Sequence, residues 1–400
     1  MDGGCSTRSA RGVFAPARAP APSAALVGVL FAVPFADFLA VFPAVFLTVL
    51  LAALPAALPA ALLAALLAAP VALAAEPGSA TSAAGSQHLF EAPLPWRNAG
   101  AGTASAGLPR ASGAQLPAPG TIDATLLLEL ASQFTQDSES GERVVLDVET
   151  TTLVFLAERS FAVNDGPAHW SASIELPWVR QDGGFLDGLI NDYHDVLGLR
   201  DGGRSRAPND QVRLRWDVDG TTRLALTQAR SGLGDIRLGL ARRFLREPDR
   251  IMTLRLGLEL PTGDADALIG SEALAFTAGL HATDRRLLSR WGVATHLSAG
   301  LLLQQDSEIT GDRTEPLALW GNWTLARPIG ARWMLKAQLD AHSRTADSAV
   351  RQIGGWSLQG SLGAAVRLGE SLLFEGGFVE DLRPGSAPDI VFQFALRGRL

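Results

Sequence analysis

From residue 121 onward, apolar and polar residues alternate in segments of about 9–14 residues, separated by Gly, Asp and Pro. In 121–135, Ile122, Ala124, Leu126, Leu128, Leu130 and Phe134 oppose Asp123, Thr125, Glu129, Gln133 and Thr135. In 144–158, Val144, Leu146, Val148, Val154 and Leu156 oppose Asp147, Glu149 and Thr151. Trp170, Ala172, Ile174, Leu176 and Trp178 oppose Ser171, Ser173 and Glu175, and Met252, Leu254, Leu256, Leu258 and Leu260 oppose Thr253, Arg255 and Glu259. Successive side chains of a strand point to opposite faces, so each segment predicts a strand with one apolar and one polar face. Similar runs at 234–244, 272–281, 290–303, 314–326, 331–342, 356–367, 371–380 and 390–400 bring the count to twelve. Segments 211–218 and 221–228, joined by the hairpin dipeptide Asp219-Gly220, raise it to fourteen.

Alternation also fits a soluble β-sandwich, and loop lengths separate the two. A membrane barrel alternates short periplasmic turns with longer outer loops. Counted from the periplasm, the outer connections are 136–143, 181–233, 261–271, 304–313, 343–355 and 381–389. The inner ones are 159–168, 245–250, 282–289, 327–330 and 368–370. The longest connection falls outside and the shortest fall inside, so the pattern predicts an all-β, antiparallel transmembrane barrel of 12–14 strands over residues 121–400. The last strand, 389–400, is expected to close against 121–135, with Gln393, Arg397 and Arg399 at the lumen or periplasmic mouth. Trp170, Trp178, Trp291, Trp333 and Trp356 lie near segment ends, where aromatic girdles meet headgroups.

The first residues differ in character. Arg8, Arg11 and Arg18 precede the run 24–75 of Ala, Leu, Val, Phe and Pro, which ends in Ala72-Leu73-Ala74. A basic start, an apolar stretch and an A-x-A site predict a secretory presequence over residues 1–74, from an over-extended start. A membrane anchor or helical hairpin is the other reading of so long a run. Residues 75–120, rich in Ala, Gly, Pro and Ser, read as a flexible periplasmic lead-in. The formal net charge of −7 argues against nucleic acid as a partner, and Cys5, the only cysteine, removes disulfide and cysteine-metal chemistry downstream. The partners expected are outer-membrane lipid, lipopolysaccharide and the barrel-assembly machinery, in the outer membrane of a Gram-negative bacterium. No cofactor and no metal are expected.

Several local motifs stand out: Pro95-Trp96-Arg97-Asn98, Gly183-Gly184-Phe185-Leu186-Asp187 with Tyr193-His194, Gly198-Leu199 through Arg204, Ser231-Gly232-Leu233-Gly234-Asp235, Leu260-Pro261-Thr262-Gly263-Asp264 and Pro388-Asp389-Ile390-Val391-Phe392. Together they resemble an uncharacterised family of proteobacterial outer-membrane barrel proteins, a domain of unknown function, over about residues 90–400. The resemblance implies fold and location; it implies no activity.

Candidate chemistry falls into three groups. Charges on the polar faces are expected to line the lumen, because a charge facing mid-membrane lipid costs about 2–4 kcal/mol. Glu129, Glu149, Glu175, Arg215, Arg237, Arg255 and Glu259 are the selectivity candidates, with Arg213, Arg332, Lys336 and Asp340 beside them. The same charges could equally form an Arg–Glu network that fills a narrow lumen. Within 183–204, Phe185, Leu186, Leu189, Ile190, Tyr193, Val196 and Leu197 recur at helical spacing, with Asp187 and His194 opposite. This predicts a short helical insert at the outer mouth, either gating it through Phe185, Asp187, Tyr193 and His194 or packed on its rim. His296-Leu297-Ser298 is similar to the His-x-Ser pair of outer-membrane lipid A deacylases, but its lumen-facing placement favours a polar pair over catalysis. The sequence thus predicts a passive channel or solute-uptake porin with no catalytic residues; the alternative is a structural or lipid A-modifying barrel with a filled lumen.

Overall fold

Strand pairing closes on itself. The computed structural model describes residues 82–98, 100–163, 169–186, 208–383, 385 and 387–400. The presequence expected over 1–74 lies outside these residues, as do Asp187, Tyr193 and His194 of the expected insert. The strands are β1 (Ile122–Glu139), β2 (Glu142–Ala162), β3 (His169–Asp182), β4 (Arg213–Val218), β5 (Thr221–Leu226), β6 (Arg230–Leu233), β7 (Ile236–Arg246), β8 (Arg250–Leu260), β9 (Ala275–Leu288), β10 (Val293–Gln304), β11 (Leu317–Ile329), β12 (Trp333–His342), β13 (Ser357–Arg367), β14 (Leu372–Asp381) and β15 (Ile390–Arg399). Twelve of them, β1–β3 and β7–β15, pair antiparallel with their neighbours into a closed barrel wall. The seam is β1 against β15, in register from Asp123↔Arg399 to Ser132↔Ile390. Main-chain bonds exchanged between Ile122 and Leu400, at 3.1 and 2.8 Å, extend it to the last residue.

The pair expected at 211–228 does form, but as a hairpin outside the wall. β4 pairs with the tip of β2 (Glu142↔Val218 to Asp147↔Arg213), and β5 pairs with β4. Asp219 and Gly220 both carry the positive φ, +48° and +80°, that a tight hairpin turn requires. β1 and β2, at 18 and 21 residues, outrun the 9–11 needed to cross a bilayer. Their free ends project beyond the rim and give the extra hairpin an edge to join. The wall therefore holds twelve strands, and the reading of fourteen is set aside.

Alternation now has a direction. Leu238, Leu240, Leu254, Leu258, Leu280, Leu297, Leu301 and Leu319 lie on the outer surface and are exposed, whereas Arg237, Thr253, Glu259, His281 and Ser298 on the same strands turn inward. So continuous an apolar band would be a liability in water and is what lipid requires. At the band's edges, Arg242 stacks over Trp170 at 5.4 Å, Arg290 over Trp291 at 3.8 Å and Arg383 over Trp356 at 4.2 Å. These pairs combine a cation with an amphipathic ring at headgroup level. One rim carries the short connections 247–249, 289–292, 330–332 and 368–371; the other carries the long ones and the two-residue turn 140–141 between the extended β1 and β2.

Candidate functional site

The lumen is occupied by the chain's own lead-in. Residues 75–120 read as a flexible periplasmic segment because they are rich in Ala, Gly, Pro and Ser, and the structure corrects this for the described part. A short helix, α1 (Ser82–Glu91), lies at the short-turn rim, where Leu89 and Phe90 pack against Ala326, Met334, Ala365 and Leu373. From there one leg climbs along β12–β15. The Pro93 carbonyl accepts from Arg397 at 2.8 Å, the Leu94 carbonyl accepts from Gln338 at 3.2 Å, and Trp96 Nε1 donates to Gln359 at 3.2 Å. The Trp96 ring is 1% exposed and packs on Ala131, Val379 and Val391. Asn98 meets His342 at 2.9 Å near the long-loop rim. There the chain turns through a single 3-10 turn, Ala101–Thr103, with the Ala101 N–H donating to Gln133 at 2.9 Å. Gly102 is required at this apex, since a Cβ would fall 1.9 Å from the carbonyl oxygen of Gln352.

The second leg descends along β8–β11. Ala106 and Leu108 pack on Ala275, Leu302, Ala318 and Trp320. The ring of Trp320 can lie flat on the wall only because Gly279 and Gly300 leave room; a Cβ on either would come within 2.6 Å of it. Lower down, the Ser112 carbonyl accepts from Ser298 at 3.3 Å, the Ala114 carbonyl accepts from Thr253 at 2.5 Å, and the Gly113 and Gln115 carbonyls accept from Arg255 at 3.2 and 3.3 Å. The two legs are tied together: the Ala111 N–H donates to the Trp96 carbonyl at 2.7 Å, and Arg110 Nη1 to the Pro95 carbonyl at 3.1 Å. The lead-in is an internal hairpin.

Its centre is ionic. Arg110 Nη1 donates to Glu129 at 2.6 Å and Nε to Glu175 at 2.9 Å, so one side chain of the hairpin bridges β1 and β3. Arg237 continues the row to Glu175, at 3.1 Å, and to Glu259. Cross-strand register explains the row: Glu175 faces Arg237 on β7, and Arg237 faces Glu259 on β8. Arg97, on the first leg, lies beside Arg237 and Arg110 as well as Glu175 and Glu259, and makes no ion pair of its own with the described residues. Three guanidinium groups thus stand among three carboxylates, Arg110 and Arg237 each bridging two of them. Nearer the short-turn rim, Arg255 crosses the lumen to Glu158 on β2 at 2.8 Å. A cavity of about 250 Å³ remains between hairpin and wall, lined by Arg110, Glu158, Glu175, Arg237, Arg255 and Glu259 among others.

Of the seven expected lumen charges, Glu129, Glu175, Arg237 and Glu259 meet in this network, and Arg255 faces the lumen separately, paired with Glu158. Glu149 does not. It sits near the long-loop rim and accepts the N–H groups of Phe185 and Leu186 at 2.9 and 2.5 Å. Arg215 is a correction: it lies on β4, is exposed, and pairs with Asp217 at 2.7 Å on the outer surface of the extra hairpin. Phe185 is exposed and Leu186 buried. His296 and Ser298 share a face but do not pair; Ser298 Oγ bonds His281 at 2.8 Å and His296 bonds Thr283 at 3.0 Å. Lys336 and Asp340 do face inward, Lys336 forming a buried ion pair with Glu375, which Arg397 also contacts at 2.8 Å. Arg97 and Arg110 were missed. The signal available was two arginines and a tryptophan inside an otherwise bland Ala/Gly/Pro segment.

Over the long-loop mouth the character changes. Val144, Leu146 and Val148 from the tip of β2, Leu214, Trp216, Val218, Leu224 and Leu226 from the extra hairpin, and Ala265, Leu268, Ile309, Val350 and Ile353 from the long loops form one apolar core, which Ala101 at the hairpin apex joins. Glu142 ties it together, accepting from Trp216 at 3.1 Å, Arg313 at 2.9 Å, the Ala349 N–H at 3.1 Å and Ser348. The Gly-Leu-Gly-Asp and Leu-Pro-Thr-Gly-Asp motifs are part of this cap. Asp235 accepts the N–H groups of Thr262, Gly263 and Ser271, at 3.0, 2.8 and 2.7 Å, and Gly263 packs on Gly270 so closely that a Cβ would not fit.

Three comparisons bear on this geometry. The family model described as Protein of unknown function (DUF3187) matches residues 104–400. No curated protein matches the chain. Among solved structures, the chain shares the fold of the COG4313 outer membrane channel from Pseudomonas putida F1, with 14% identity and a TM-score of 0.50, over 72% of this chain and 97% of that one. Weaker likenesses include the NanC porin (9% identity, TM-score 0.37, 70% of this chain and 100% of that one) and the Ralstonia pickettii toluene transporter TbuX (8% identity, TM-score 0.37, 71% and 90%).

Proposed function

The chain belongs to the DUF3187 family, whose matched span takes in the whole barrel, and we propose that it is an outer-membrane channel for small polar solutes, held closed by its own N-terminal hairpin. In this reading the short-turn rim faces the periplasm and the capped rim faces outward, the arrangement usual for such barrels in a Gram-negative outer membrane. One observation carries it. The lumen is lined by charged and polar wall residues and filled by a separate segment that bridges them through Arg110. A barrel with a purely structural role needs only wall side chains to fill its centre, whereas a hairpin held by ion pairs can leave and return. The structure sharing the fold is described as an outer membrane channel, which agrees.

Planar-bilayer conductance tests the proposal. The intact chain is expected to give small or infrequent openings, and a chain lacking residues 88–117 a larger and steadier conductance. A sealed bilayer from both proteins, each with intact β-structure by circular dichroism, would refute a channel. The filled-lumen enzymatic alternative has less support, because Ser298 bonds His281 and the hairpin's Ser112, and both wall residues are buried away from lipid.

A further inference from the structure

At the short-turn mouth, several arginines are ion-paired. Arg285 meets Glu91 at 2.8 Å, Arg399 meets Asp123 at 3.0 Å, Arg250 meets Asp284 at 3.0 Å, and Arg286 meets Glu247 at 3.3 Å. Arg243 breaks the pattern. It is 6% exposed, and its Nη2 is buried without a hydrogen-bond partner. Register puts His169 of β3 directly across from it, on the same inward face. Arg246, one bulge further along β7, faces a cavity of about 430 Å³ at the mouth, with His88, Gln115, Arg285 and Glu247, itself paired with Arg286, around it. Among the described residues, no carboxylate pairs with Arg243, Arg246 or His169. Burying a guanidinium without a counter-charge is expensive, and a folded protein usually supplies one.

We infer that the missing counter-charge is a ligand: Arg243, Arg246 and His169 form a binding site for a small soluble anion bearing a phosphate or carboxylate group. A planar, fork-shaped donor suits both groups, since it can grip two oxygens at once. The inward face favours a dissolved anion over a lipid headgroup. Lipid instead meets Arg242, the outward neighbour stacked on Trp170. Such a site at the inner end of the lumen would hold an anionic solute where it enters or leaves.

Calorimetric titration of the full chain, folded in detergent at constant ionic strength, tests this with inorganic phosphate as the probe. Saturable binding is expected, with citrate competing. Arg243→Gln should weaken phosphate binding at least tenfold, Arg243→Lys by less, and Arg242→Gln not at all. Arg246→Gln, at an exposed position where folding is not at stake, should also weaken it. Absence of phosphate binding by the wild-type chain would overturn the inference. So would equal affinity in Arg246→Gln and a folded Arg243→Gln, or tighter binding of phosphatidylglycerol micelles than of phosphate. The titration needs no conduction, so it can fail while the channel reading stands, and the reverse.

Discussion

Two regions close this barrel, and they are built from opposite materials. The cap over the long-loop mouth is an apolar core with Trp216 and Leu214 fully buried. The hairpin inside the lumen is held by guanidinium–carboxylate pairs and by main-chain carbonyls accepting from wall side chains, with Trp96, Leu94, Leu108 and Leu116 as separate apolar anchors along it. An apolar core is stabilised in proportion to the area it removes from water and separates only at the cost of re-exposing it. An ion pair that leaves its partner can be rehydrated, so its net stabilisation is smaller than its geometry suggests. In the proposed gate, the cap is the fixed part and the hairpin the movable one.

The largest expected effect lies in the cap. Trp216→Ala removes the biggest buried side chain there and its bond to Glu142, and should cost about 3–5 kcal/mol. The loss should appear as a lower unfolding midpoint and as new protease cleavage between 208 and 230. An unchanged digestion pattern would mean that the cap is not held by this core. Arg110→Gln comes next. It leaves Glu129 and Glu175 facing each other without their shared cation, a loss on the order of 3–5 kcal/mol for a buried pair. Since Cys5 is the only cysteine, a Cys5→Ser background lets a thiol at Ser112 report on the hairpin. Its labelling from solution should accelerate by on the order of a hundredfold or more in Arg110→Gln, and equal rates would make the hairpin a static filler. Arg255→Gln frees the Gly113 and Gln115 carbonyls together with Glu158, and should raise the same labelling by a smaller factor, for about 1.5–3 kcal/mol. Arg215→Gln, on the exposed surface of the extra hairpin, should leave both the unfolding midpoint and the labelling rate unchanged.

The same division decides what could be read from the chain alone. Wall strands were legible because lipid outside and polar lumen inside impose a period of two, and register carries that pattern from strand to strand. Alternation tells which side chains share a face; it does not tell which strand stands in the wall. Arg215 shows the difference: β4 alternates as a wall strand does, but its buried face, Leu214, Trp216 and Val218, serves the cap. Glu149 shows it again: register turns the even positions of β2 inward with Glu158, so Glu149 lies on the outward face near the long-loop rim, not in the lumen. The hairpin had no periodic signature. A segment bound through its own carbonyls needs only small residues that fit, so Ala, Gly, Pro and Ser in 92–117 served as packing material and read as a linker. Arg110 draws its partners from strands 19 and 65 residues away, a juxtaposition no local pattern encodes.

That the hairpin is the gate can be tested within a single molecule. Cysteines replacing Ser112 on the hairpin and Ser298 on the wall, where hydroxyl and carbonyl now lie 3.3 Å apart, can be joined by a short reducible thiol linker in the Cys5→Ser background. Conductance of this protein in a planar bilayer should be near zero while linked and should rise to that of the unlinked protein when reductant is added. Identical conductance before and after reduction would contradict a gating hairpin, whatever the remaining lumen conducts.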